Sequence, residues 1–144
     1  MKRPFTLIFL LVLLLLGATA PCTAQIPHEG FIRTPDGVRL FYKIEGEGAE
    51  TLVAVHGGPG NTMESIRPDL APLAADRRVI YYDQRGNGLS DLIKERSRLG
   101  VSKHVEDLEA IRAYFKLDKI NLLGNSWGGL LIGFYAAAHP DRVG

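Results

Sequence analysis

The chain has 144 residues, of which 46% are hydrophobic and 23% charged, with a formal net charge of +1. That balance belongs to one globular domain and excludes a disordered chain. Positive and negative residues are interspersed without a basic stripe of the kind a phosphate backbone requires, which excludes nucleic acid as a partner.

The first residues read as a targeting segment. Lys2 and Arg3 precede an apolar run from Phe5 to Leu16, and small residues follow through Ala24, the pattern of a secretory signal peptide. The apolar run is shorter than the roughly 20 residues of a spanning helix, so no stable membrane anchor is expected after cleavage. Pro21 disfavours a cut after Ala20, which puts the expected cut after Ala24. Residues 1–24 are then the leader, and residues 25–144 form a domain exported to the periplasm or secreted. Cys22, the single cysteine, is lost with the leader, so no disulfide or thiolate chemistry is expected. A lipoprotein reading would keep Cys22, but Thr19-Ala20-Pro21 before it lacks the usual leucine.

Two strand-like runs flank Pro35-Asp36-Gly37, which predicts a hairpin. Three apolar runs follow, Thr51–Val55, Arg78–Tyr82 and Lys119–Leu123, each ending at a glycine-bearing loop. Their continuous apolar character predicts parallel strands buried on both faces. Between the first two, Pro68 and Pro72 predict a short or broken helix. Val101, Val105, Leu108, Ile111 and Phe115 recur with the helical period, and Ser102 is the expected N-cap. Trp127 to His139 is apolar nearly all round, with Gly129 and Gly133 placed to admit close backbone approach, and stops at Pro140. Strands alternating with helices predict an α/β fold, whose ligands bind beyond the carboxyl ends of the strands.

All three glycine-bearing loops fall on that edge. Gly124-Asn125-Ser126-Trp127-Gly128 has the G-x-S-x-G pattern of a nucleophile elbow, with strand before and helix after. Its glycines make room for a sharp turn that holds Ser126 in a strained conformation, and the following helix aims free N–H groups at a developing oxyanion. A tight turn that happens to carry serine is the competing reading. In His56-Gly57-Gly58-Pro59-Gly60, the Gly58 N–H pairs with that of Trp127 as the expected oxyanion donors. His56, at the strand end, is expected to brace the loop rather than act as base. In Asp83-Gln84-Arg85-Gly86-Asn87-Gly88-Leu89-Ser90, Gly86 and Gly88 are expected at unusual backbone angles, with Asp83 and Arg85 fixing the loop. The third glycine of a dinucleotide fingerprint is missing there, and neither a cofactor nor a metal is expected.

Together, HGGPG, DQRGNGLS and GNSWGG resemble the α/β-hydrolase superfamily, and most closely its prolyl iminopeptidase-like serine peptidases; His139-Pro140-Asp141-Arg142-Val143 is also similar. The resemblance runs from about Phe31 to Gly144. It implies a serine hydrolase that removes an N-terminal residue, often proline, from a small-molecule or peptide substrate. Ser126 is then the nucleophile, Gly58 and Trp127 give the oxyanion hole, and Gly57, Gly60, Gly124 and Gly128 are the motif glycines. The superfamily places its acid and then its histidine well beyond the nucleophile. Here Asp141 and His139 stand in the wrong order, and His139 lies about 20 Å along a helix from Ser126. His28 in the tail and His104 at an exposed helix start are not expected to serve. The expectation is therefore the amino-terminal part of such a hydrolase, without its later strands, cap, acid and base, inactive alone and with apolar helix surface uncovered. A non-catalytic binding remnant and an esterase or lipase-like hydrolase are the alternatives.

Overall fold

The computed structural model describes residues 26–144; the expected signal peptide and its cleavage site lie outside the described residues. Among the described residues five strands, β1 (Glu29–Arg33), β2 (Arg39–Glu45), β3 (Thr51–Val55), β4 (Arg78–Tyr82) and β5 (Asn121–Gly124), form one sheet in the order β1-β2-β4-β3-β5. β1 and β2 make the hairpin expected around Pro35-Asp36-Gly37. β2 continues antiparallel onto β4. β3 is parallel to both β4 and β5. At the outer edge, Val143 forms a parallel bridge with Ile120.

Side chains alternate across the central strands and feed two cores. Val53 and Val55 of β3 and Ile80 and Tyr82 of β4 face the larger core, shared with Leu108, Ile111, Leu131 and Tyr135 from the helices. Ala54, Val79 and Tyr81 point the other way, onto Met63. β3 and β4 are covered on both faces and have no solvent side to mark with polar residues, which is why these two runs are continuously apolar, whereas β5, at the end of the sheet, is only half-buried, contrary to expectation.

On the smaller face, the segment interrupted by Pro68 and Pro72 is broken into a 3₁₀ turn at Met63–Ser65, helix α1 (Arg67–Leu70) and a second 3₁₀ turn at Ala71–Ala75. α2 (Val101–Tyr114) is the expected amphipathic helix, but Gly100, not Ser102, is its N-cap. The Gly100 carbonyl accepts from the N–H groups of Lys103 and His104, which leaves Ser102 inside the first turn.

α3 (Trp127–Ala138) packs on β3, β5 and α2. Leu131 and Tyr135 are buried, while Leu130 and Phe134 remain 55% and 43% exposed, so apolar surface is uncovered on this helix, as expected. The expected close approach at Gly129 and Gly133 is corrected: both lie on the exposed side, and a Cβ at Gly133 would meet nothing within 4 Å. Gly128 takes that part. A Cβ there would lie 2.1 Å from the Val55 carbonyl oxygen, so only glycine lets α3 lean onto the end of β3.

Candidate active site

The register of the parallel strands assembles the site. Val55 is paired with Gly124, so β3 and β5 end level, and the Asn125 N–H donates to the Val55 carbonyl across the gap at 3.3 Å. The two loops leaving these strands therefore start side by side. A Cβ at Gly57 would stand 3.1 Å from the Asn125 carbonyl and 3.3 Å from the Ser126 Cβ, so the HGGPG loop is in van der Waals contact with the elbow.

Ser126 has φ 52° and ψ −119°, a conformation that L-residues rarely adopt and that costs about 1 to 3 kcal/mol. The turn is closed by the Gly128 N–H donating to the Asn125 carbonyl at 2.8 Å. At Gly124 a Cβ would lie 2.6 Å from the backbone of Gly128. Glycine on both sides is thus a steric requirement of the bend. The bend lifts Ser126 into solvent.

Two backbone N–H groups lie next to this contact in the chain, that of Gly58, which follows Gly57, and that of Trp127, which follows Ser126. Trp127 is the first residue of α3, where an N–H has no partner within the helix. Gly58 is at φ +36°, a left-handed conformation that turns its peptide away from the strand direction. Among the described residues neither N–H donates a hydrogen bond, and no side chain accepts one from the Ser126 hydroxyl.

Beside these free groups stands a loop in which the polar groups are bonded. The Asp83 carboxylate accepts from the N–H groups of Met63 and Leu89, both at 2.8 Å. Gly86 and Gly88 take φ of +78° and +53°, and any Cβ at Gly88 would strike the Asp83 carboxylate. Arg85 is fully buried, bidentate to Asp107 at 2.7 and 2.6 Å, with further bonds to Asp36 and the Arg98 carbonyl. Asp83 and Arg85 fix the loop as expected. The partners of Arg85 tie α2 and the hairpin turn to it. Burial pushes the Asp107 carboxyl up to about 6 against the pull of Arg85, while the Arg85 bond holds Asp36 well below the carboxylate range.

The four histidines are spread through the molecule. His56 is buried as a brace: its Nδ1–H donates to the Gly57 carbonyl at 2.8 Å and its Nε2 accepts from the Gln84 N–H at 3.1 Å. Burial lowers its pKa. His28 is exposed in the tail before β1, and His139 caps the far end of α3, thirteen residues or about 20 Å from Ser126. The expected exposure of His104 is corrected. It is only 7% exposed, because α2 turns this position inward onto Trp127, with ring centroids 6.0 Å apart and planes near perpendicular. Burial, reinforced by Arg85 and His56, lowers its pKa to about 4. No group of three or more metal-ligating side chains gathers among the described residues.

Sequence reasoning passed over Gln84. Its side chain joins the loops after β3 and β5, and its only signal in the sequence is its place just past a strand end.

A model of the alpha/beta hydrolase fold family matches residues 50–144. The chain is 39% identical over 116 residues to a proline iminopeptidase of Heyndrickxia coagulans, covering 80% of this chain and 40% of that one. It is 38% identical over 113 residues to a proline iminopeptidase of Lactobacillus helveticus, covering 74% and 38%. Among solved structures, epoxide hydrolase A from Mycobacterium thermoresistibile superposes with a TM-score of 0.73 at 30% identity, over 82% of this chain and 37% of that one. The chain thus spans about 40% of the length of the curated relatives it matches. With the motif loops gathered at one sheet edge and the family model matching residues 50–144, this chain belongs to the alpha/beta hydrolase fold family.

Proposed function

We propose that this chain carries the nucleophile and oxyanion-binding part of a serine hydrolase of the proline iminopeptidase type. The observation that carries the reading is the strained, exposed Ser126 where the HGGPG loop meets the start of α3, with the N–H groups of Gly58 and Trp127 unbonded. In this reading the Ser126 Oγ attacks the carbonyl carbon of the substrate's N-terminal residue. The carbonyl oxygen becomes an oxyanion held by the N–H groups of Gly58 and Trp127, each worth about 3 kcal/mol. Collapse breaks the C–N bond and expels the rest of the peptide as an amine, which takes up the proton lost by the Ser126 hydroxyl, and water then releases the acyl group as a free acid and returns a proton to the serine oxygen. The named relatives support the iminopeptidase class.

A general base must reach about 3 Å from the serine hydroxyl. His56 is committed at both ring nitrogens, His104 is buried against Trp127, and His28 and His139 sit away from the elbow. We infer that the base and its carboxylate are not supplied by residues 25–144, and that Ser126 in this chain is a slow nucleophile. We also propose export with cleavage after Ala24; a mature protein whose first residue is not Gln25 would contradict it.

Fluorophosphonate labelling tests the site. Slow modification confined to Ser126 and abolished in Ser126→Ala is expected. Adducts spread over other exposed serines would overturn the elbow reading, and fast stoichiometric labelling would overturn the missing base. If the reading frame continues past Gly144, its product should cleave proline anilides; turnover of short-chain esters alone would shift the reading to an esterase.

A further inference from the structure

We propose that Gln84 is a positioning residue that sets the Gly58 and Trp127 N–H groups relative to one another; the proposal rests on reading those groups as the oxyanion donors. Gln84 follows β4, the strand that supplies neither donor, and the residue is 1% exposed. Its amide is used at both ends. Nε2–H donates to the His56 carbonyl at 2.7 Å, and Oε1 accepts from the Trp127 indole Nε1–H at 3.0 Å. One amide thus ties the end of β3, two residues before Gly58, to the first residue of α3.

The main chain of Gln84 adds a third tie. Its N–H donates to His56 Nε2, which must then be the unprotonated nitrogen, so the proton sits on Nδ1 and goes to the Gly57 carbonyl. The peptide between Gly57 and Gly58 carries the Gly58 N–H, so orienting the Gly57 carbonyl orients that donor. Both donors therefore trace back to one residue, and the chemistry of the position is narrow. A side chain of this length must donate at one terminus and accept at the other, which an amide does, an apolar residue does not, and a carboxylate does only when protonated.

The test uses the whole 144-residue chain with Gln84→Met, which fills the volume without either bond, and Gln84→Glu. Trp127 is the single tryptophan, so one indole N–H resonance and one fluorophore report on the bond. In Gln84→Met the indole resonance is expected to shift, and the amide order parameters of Gly58 and Trp127 to fall from about 0.85 to below about 0.6, with α2 unchanged. In Gln84→Glu burial raises the carboxyl pKa above its usual value of about 4.3, so the neutral form at pH 5 should reproduce the wild type, and the carboxylate at pH 8 should reproduce Gln84→Met. A packing role would give no such pH-dependent recovery. Unchanged order parameters in Gln84→Met, or identical behaviour of Gln84→Glu at both pH values, would overturn the proposal. Fluorophosphonate separates the two levels. A rate at Ser126 at least tenfold slower in Gln84→Met supports positioning, and an unchanged rate overturns the role of Gln84 alone. Failure of the wild type to react at Ser126 overturns the nucleophile reading on which the proposal rests.

Discussion

The elbow at Ser126 and the loop from Asp83 to Ser90 lie at the same edge of the sheet and are built in opposite ways. The elbow is strained, exposed and leaves its donors unbonded. In the loop, Asp83, Gln84, Arg85 and Ser90 are buried and hydrogen-bonded to neighbouring segments, Ser90 by accepting from the Phe41 N–H. In the proposed reading this difference keeps groups ready for a ligand. Strain and unsatisfied donors persist only where the surroundings over-determine them; in the reading proposed above the loop does this through Gln84 and through Asn87, whose side chain accepts from the Gly60 N–H at 2.9 Å.

The largest way to break this contrast is to unmake the brace. Arg85→Met leaves Asp107 buried without its cation and should cost about 3 to 5 kcal/mol in urea unfolding. Adding Asp107→Leu should recover much of that loss; equal costs for the single and double variants would mean that the pair is not the brace.

Next is the contact that seats the elbow helix. Gly128→Ala drives a methyl into the Val55 carbonyl and should destabilise by about 1 to 3 kcal/mol, whereas Gly133→Ala, in open space, should leave stability unchanged or slightly raised. A reversed order would sink the account of how α3 is seated.

Acid should loosen the junction between brace and elbow. His104 is held neutral in the fold with its pKa lowered to about 4, against about 6.5 when unfolded. Its contribution is complete above pH 6.5 and is lost as the pH falls through 6.5 toward 4. From this group the protein should be about 1 to 2 kcal/mol less stable at pH 5 than at pH 7. Asp107, pushed up to about 6, acts in the opposite sense, so the measurement is the difference between the pH–stability curves of wild type and His104→Gln. Parallel curves would show that His104 does not titrate across folding.

The smallest expected effect relieves the strain itself. Ser126→Gly removes the Cβ from a φ of 52° and should stabilise the chain by about 1 kcal/mol or less while abolishing labelling. A loss of stability would mean that the elbow is not strained at this residue.

Much of this was legible in the residues. The apolar runs announced β3, β4 and β5, Pro68 and Pro72 announced the broken segment, and Gly86 and Gly88 announced their positive φ. These are local effects, written in neighbouring positions. The same kind of local rule points to Ser102, Gly129 and Gly133, and there the structure differs, because the position of a helix on its sheet chooses which residue caps it and which glycine meets the strand.

His104 and Gln84 mark the limit more sharply. Near the start of an amphipathic helix a histidine reads as solvated, yet the packing of α2 against α3 turns it onto Trp127. Nothing in the sequence says that Gln84 reaches His56, 28 residues away, and Trp127, 43 residues away. The sequence by itself determined the parallel strands, the glycine loops at their carboxyl ends and the serine turn, since each follows from side-chain period and backbone sterics over a few residues. Tertiary structure alone decided which loops touch and which polar groups stay unbonded, because those depend on strand register and on contacts between segments far apart in the chain.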